Sequence, residues 1–566
     1  MQGNYCQSSR LPSASMARLE ASFQHFTPSN LMRIYMYLLI PLLCAVVSSC
    51  GTTSSMTPDA LHDTSDKRGT VADKLSAALS DAEKTLASGL RTVEQRQAYA
   101  AQVGRVTALW LSLAKDQKAV LHVDETYRLE TRIPANLLFD ELIPAGTVKS
   151  RHLKRRITRE GVGTPLIAHW KSSPERKAAE PLMTEAGYMT SVTATLDFTR
   201  TSGGLRRATL ALHDSRMTQE VILAGGKQPL AADLTAYGEH YLAMKDVRMK
   251  GIKALLRSSE YMDKLGLFAL ERPDKNRIPL VLVHGLMSRP ATWENVINEL
   301  GDDPVLNRHY QVYLFRYPSG VPVIYSSEKL REHLGTLHGI LAREGAGMRG
   351  RNMVLIGHSM GGLVSKAQVQ DSGDRVWVNI LGDTPAALGL SKEEHEALRR
   401  YLEFDPNPNI SRIIFAATPH RGSSMADGRL ARIGRSLVKL PGQTFGSTFE
   451  VLESLASRDA YLSELLKRGM PTSVDNLSPG SPYVRIANSL PFRPGVRLHS
   501  IIGNKEGRPL TDPECSDGVV PYSSSHLDNV ESELIVRSGH GVHEKPEAVE
   551  EMRRILRLHL KGLGLY

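Results

Sequence analysis

Two short stretches govern what this chain can fold into. Ile278-Pro279-Leu280-Val281-Leu282-Val283 and Met353-Val354-Leu355-Ile356 contain no polar side chain, and both have the length of a strand rather than of a helix. A strand apolar at every position needs cover on both faces, which a parallel sheet between two layers of helices provides. Each run stops at a glycine turn, His284-Gly285 after the first and Gly357-His358 after the second. Helical spacing follows the first turn, where Pro290 precedes Trp293, Val296, Ile297 and Leu300 on one stripe. Strand-like Tyr310–Phe315 and a stripe of Leu330, Leu334, Leu337 and Leu341 complete a β–α–β–α–β order.

A chain of 566 residues exceeds what one hydrophobic core organises, so further units are expected. Its 41% hydrophobic and 23% charged residues are those of a folded globular protein, without repeats or long low-complexity tracts. Residues 1–49 form a signal region. Within it, 32–49 has a basic start at Arg33 and an apolar stretch, Ile34–Val47, too short to span a bilayer and interrupted by Pro41. Residues 1–31 carry no signal features and read as lying upstream of a start at Met32. Residues 50–69 are small and polar, as in a tether. Leu75, Leu79, Leu86 and Leu90 give 70–118 a helical stripe. From 119 to 238 the period turns to two, with Val192, Ala194, Leu196 and Phe198 alternating, which predicts a β-rich accessory domain. A helical connector at 239–264 then leads into a domain at 265–566, with a candidate cap around 427–488.

The formal charge of +10 is scattered, except at His152-Leu153-Lys154-Arg155-Arg156, which reads as a solvated loop or strand face rather than a lipid-headgroup patch. No nucleic-acid motif accompanies it. No zinc-type Cys/His spacing and no phosphate-binding glycine loop is present, so metal, cofactor and nucleotide chemistry lack support. Of the 4 cysteines, Cys6 and Cys44 precede Cys50, and Cys515 stands far from all of them.

The second glycine turn carries the chemistry. In Gly357-His358-Ser359-Met360-Gly361-Gly362 a serine stands between a predicted strand and a predicted helix, with glycines where the chain must bend tightly. The pentapeptide G-x-S-x-G alone is weak; its placement makes it strong. Together with Val283-His284-Gly285, Thr418-Pro419-His420-Arg421-Gly422-Ser423 and Ser516-Asp517-Gly518-Val519-Val520-Pro521, it resembles the lipase and esterase branch of the α/β-hydrolases. The resemblance covers roughly 265–566 and does not extend to the first half. It implies an α/β-hydrolase fold, mostly parallel sheet with helices on both faces, and a nucleophile, acid and histidine in that chain order.

Ser359 is then the nucleophile, Asp517 the acid and His540 the base, each following a strand-like run. The Met360 N–H supplies one oxyanion donor, and the resemblance assigns the other to Leu286. His543 is the main rival base. Asp512 and Asp383 are weaker candidates for the acid. His284 and His358 read as structural histidines, and chain order argues against His420, which precedes Asp517. Separately, Val47-Ser48-Ser49-Cys50-Gly51 resembles the lipobox of bacterial lipoproteins, which makes Cys50 the lipid anchor and implies a bacterial envelope, with Gly51 pointing to the outer membrane. The expected activity is hydrolysis of a carboxylic, lipid or acyl ester, with no cofactor. Acyl transfer through the same acyl-enzyme, or a non-catalytic envelope lipoprotein using a hydrolase-like fold, are the alternatives. The oligomeric state is not readable.

Overall fold

The computed structural model describes residues 70–113, 120–201, 204–244, 262, 264–423, 447–457, 463 and 472–566. The signal region, Cys50 and the tether lie outside the described residues, as do most of the connector at 239–264 and much of the cap segment at 427–488.

Helices α1 (Val71–Ala87) and α2 (Val93–Leu113) form the first layer. Thr70 starts α1 with a reciprocal cap: its hydroxyl accepts from the Asp73 N–H at 3.2 Å and the Asp73 carboxylate accepts from the Thr70 N–H at 2.7 Å. Strands β1 (Leu121–His122), β2 (Tyr127–Arg132), β3 (Glu141–Pro144), β4 (Thr164–Trp170), β5 (Tyr188–Arg200) and β6 (Arg206–Asp214) form a sheet in the order β1-β2-β6-β5-β4-β3. Only β2 and β6 run parallel. Leu75, Leu79, Tyr99, Val103 and Trp110 bury against Leu129, Val192, Ala194, Leu196 and Leu210, so the helical segment and the strand-rich region share one core.

The second half is built on β7 (Gly266–Ala269), β8 (Ile278–Val283), β9 (Tyr310–Arg316), β10 (Met353–His358), β11 (Ile410–Ala416), β12 (Arg497–Gly503) and β13 (Ser532–Val536), in the order β7-β9-β8-β10-β11-β12-β13. Edge strand β7 is antiparallel to β9, and every other pair is parallel. The apolar runs are uninterrupted because both faces are covered. Val281, Val283 and Leu355 face helix α3 (Val323–Arg343) through Leu330, Leu334 and Leu337. Their neighbours Leu280, Leu282, Val354 and Ile356 face Trp293, Val296 and, on α5 (Pro546–Gly562), Met552, Ile555 and Leu556. This is the α/β-hydrolase fold expected from the sequence, preceded by helices and a β-rich body.

The first half is fastened to this sheet. The Met189 and Ala269 N–H groups donate to Leu270 and Leu182 carbonyls at 2.7 and 3.0 Å, next to β7. Arg216, buried at the end of β6, pairs with Asp214 and Glu271, and Glu271 also accepts from Arg277 at 2.8 Å. Burial alone would raise the Glu271 carboxyl, but the two guanidinium groups hold it down to about 2. The basic run borders the same seam as a solvent-exposed loop, as read from the sequence, and its side chains reach across to the second half. Lys154 reaches Glu544 at 2.6 Å, and Arg155 reaches Glu299 at 2.7 Å and Asp302 at 2.9 Å. Three successive N–H groups, of Arg151, His152 and Leu153, donate to the Glu239 carboxylate at 2.9–3.0 Å. Sequence spacing could not show this, because the partners lie up to 390 positions away.

Candidate active site

In the second sheet the chain passes from β8 to β9 on one side and then to β10 on the other. Such a reversal, at the C-terminal ends of β8 and β10, is where parallel α/β sheets collect ligands. Val283 and Gly357 are paired in register, so the turns that follow, His284-Gly285 and Gly357-His358-Ser359, come out side by side. A Cβ on Gly285 would stand 2.9 Å from Ser359 Cβ and 3.1 Å from the His358 carbonyl; only glycine lets the two turns approach this closely.

Ser359 links β10 to helix α4 (Met360–Lys366) with φ +55° and ψ −127°, a conformation that non-glycine residues rarely adopt. The bend is possible because its neighbours lack side chains. A Cβ on Gly361 would meet the Val283 carbonyl at 2.3 Å, and one on Gly357 the Gly361 carbonyl at 2.6 Å. The turn directs the Ser359 hydroxyl at His540, and Oγ–Nε2 is 2.8 Å. On the far side of that ring, Nδ1–H donates to Asp517 Oδ2 at 2.8 Å, which leaves Nε2 as the acceptor for the serine proton. Asp517 Oδ1 accepts from the Val519 and Val520 N–H groups at 2.8 and 2.7 Å, fixing the carboxylate in a buried loop after β12. Gly503 at the end of β12 makes room, since a Cβ there would stand 2.7 Å from Asp517 Cβ.

The rivals fall elsewhere. The buried ring of His543 lies 5.0 Å from Trp293, and its Nε2 lies 3.1 Å from Thr292 Oγ1. Burial pushes its pKa down to about 4, which keeps it neutral. His358, also neutral through burial, donates from Nε2 to the His540 main-chain carbonyl at 2.8 Å and stacks on His543 at 4.0 Å. It therefore braces the backbone of His540. His284 lies against Tyr317 at 4.4 Å and is pushed to about 4 by burial. His420 is buried edge-on to Phe415, 4.7 Å away. Asp512 serves Arg508 and the Glu514 N–H at 3.2 and 2.8 Å, and Asp383 accepts from Thr384 N–H at 2.8 Å.

Met360 is the first residue of α4, where a main-chain N–H has no intrahelical carbonyl. Leu286 follows Gly285 in the adjoining turn. Two residues that sequence reading missed shape that turn from β9. The Tyr317 hydroxyl donates to the His284 carbonyl at 2.7 Å, and Ser319 Oγ accepts the Met287 N–H at 3.1 Å, where Met287 has φ +56°. Their one sequence signal is their place just beyond a strand that neighbours β8. A buried amine also sits on α4: Lys366 donates to Asn488 Oδ1 at 2.9 Å, and burial, aided by Arg421, pushes it down to about 7. No cluster of three or more His, Cys, Asp or Glu side chains suited to a metal occurs among the described residues.

Residues 280–552 match the family model described as alpha/beta hydrolase family. The second half of the chain thus has the α/β-hydrolase fold. Solved structures similar to the chain include a lipase of Bacillus licheniformis in mature form (19% identity, 51% of this chain and 97% of that one, TM-score 0.29). A phospholipase of Legionella pneumophila is similar at 17% identity over 44% of this chain and 45% of its own, with TM-score 0.27. A thermophilic esterase of Thermogutta terrifontis is similar at 16% identity over 50% of this chain and 90% of its own, with TM-score 0.26. No curated protein matches the chain. At such identities and scores the fold assignment stands on the strand order and the family match.

Proposed function

We propose that this chain hydrolyses carboxylic esters, of lipid or acyl type, through Ser359, His540 and Asp517. The observation that carries the reading is the continuous relay from Ser359 Oγ to His540 to Asp517, each step 2.8 Å long, beginning at a serine held in a strained turn. As Ser359 Oγ attacks the ester carbonyl carbon, its proton passes to His540 Nε2, and Asp517 stabilises the imidazolium. The Met360 and Leu286 N–H groups receive the charge that develops on the carbonyl oxygen. Collapse expels the alcohol, which takes the proton from His540, and leaves an acyl-Ser359 ester. Water, deprotonated by His540, then releases the acid and restores the serine.

The N-terminal lipobox-like segment adds that the enzyme is held at a bacterial envelope membrane, at the outer membrane, through lipidated Cys50. Among the described residues no helix is long and apolar enough to cross a membrane. Hydrolysis of a p-nitrophenyl ester series by the wild type beside Ser359→Ala and His540→Ala tests the chemistry: both variants are expected to lose roughly 10⁶-fold in kcat. Activity surviving in Ser359→Ala would refute it. Fractionation of cells expressing Cys50→Ala tests the anchor, with movement from the membrane to the soluble fraction as the expected result.

A further inference from the structure

A cleft open to solvent runs between the first half of the chain and the turn after β8. Its inner side is apolar hydrolase surface from Ile297, Leu314 and Tyr317, and its outer side is apolar accessory surface from Leu153, Tyr237 and Leu242. His284 and Ser288 line it as well, so it flanks the turn whose Gly285 lies against Ser359. Its lining is that of a site for an apolar group.

We propose that this cleft receives the acyl chain of the ester substrate, and that residues of the accessory half form its outer wall and set chain-length preference. The inference rests on the ester-hydrolase reading of Ser359. Three observations support it. The outer wall is rigid: Leu153 is pinned by its N–H to Glu239, and the flanking Lys154 and Arg155 bind Glu544, Glu299 and Asp302 of the hydrolase half. A second fastening runs from Thr235 Oγ1 to Asn298 Oδ1 at 2.7 Å, while Asn298 Nδ2 donates to the Arg155 carbonyl at 2.8 Å. The wall disfavours charge: partial burial pushes the Glu294 carboxyl up to about 7 despite the opposing pull of Arg289. An alkyl chain suits such a place, because it has no polar group to desolvate and gains by leaving water for aromatic and aliphatic walls.

Gly238, on the cleft wall, offers the test. A Cβ there would touch only Leu153 Cδ1, at 3.6 Å, so Gly238→Leu introduces a side chain without disturbing the backbone. Leu153→Trp narrows the cleft from the neighbouring position on the same wall. For both variants, kcat/KM on p-nitrophenyl acetate is expected to stay within about twofold of wild type, while kcat/KM on the palmitate ester falls at least tenfold through KM. A parallel fall on both esters, or no change on either, overturns the proposal. Binding of a fluorescent long-chain fatty acid to Ser359→Ala protein separates the two readings. Binding weakened at least tenfold by Gly238→Leu supports the cleft even where turnover is absent. Equal binding in both backgrounds sinks it while leaving the hydrolase reading intact.

Discussion

The two large sheets among the described residues differ in where their strands end. In the first, neighbours run mostly antiparallel, so consecutive strand ends and the loops beyond them fall at opposite edges. In the second, six strands run the same way, and the loops after β8, β10, β12 and β13 emerge together. Residues separated by 181 positions, Ser359 and His540, meet there within hydrogen-bond distance. Direction of pairing, more than composition, decides which half can assemble a constellation of side chains. The first half instead contributes a wall and a seam.

That contrast can be broken in graded steps. The largest effect is expected at the strand-end cluster: Asp517→Asn keeps the shape but removes the acceptor for His540 Nδ1–H, and kcat should fall about 10⁴-fold in ester hydrolysis with the melting temperature little changed. Next comes the seam. Glu271→Ala leaves Arg216 and Arg277 buried without their shared partner, at a cost of roughly 3–5 kcal/mol in urea unfolding, while kcat of the folded protein stays near wild type. Equal loss of kcat there would mean that the seam takes part in chemistry.

Gly285→Ala sharpens the picture of the two adjoining turns. Its methyl group would press on Ser359 Cβ, and the displaced turn should lower kcat about 10²-fold with KM for short esters little altered. The smallest effect is at Glu294. Its carboxyl titrates near 7 in the folded chain, against 4.5 unperturbed, so the charged form is disfavoured by folding. The wild type therefore loses stability relative to Glu294→Gln as pH rises from about 4.5, and the loss is complete above about 7. Melting temperatures should coincide at pH 4, and the variant should melt up to about 2 °C higher at pH 8, the site being half exposed.

Much of the second half was legible in the sequence because parallel strands buried on both faces read as apolar runs, and glycines mark where they stop. Ser359, Asp517 and His540, which the structure brings together, each follow such a run in chain order. Edge strand β7 escaped notice: Gly266-Leu267-Phe268-Ala269 has neither alternation nor length, and it is a strand only because β9 offers a free edge. The support that Tyr317 and Ser319 give to the turn after β8 was equally hidden, since both act through the backbone of a neighbouring strand's loop. The seam role of Lys154 and Arg155 was invisible for the same reason, as ion pairs across hundreds of residues leave no local pattern. In the first half, the period-two alternation of β5 announced a strand but could not announce that α1 and α2 would cover it.

The central claim is that Ser359 is a nucleophile activated by His540, and covalent labelling addresses it most directly. A fluorophosphonate incubated with the full chain should form a single adduct, located by peptide mass spectrometry at Ser359. Labelling should vanish in Ser359→Ala and slow at least 10³-fold in His540→Ala. An adduct at another residue, or undiminished labelling of Ser359→Ala, would contradict the account.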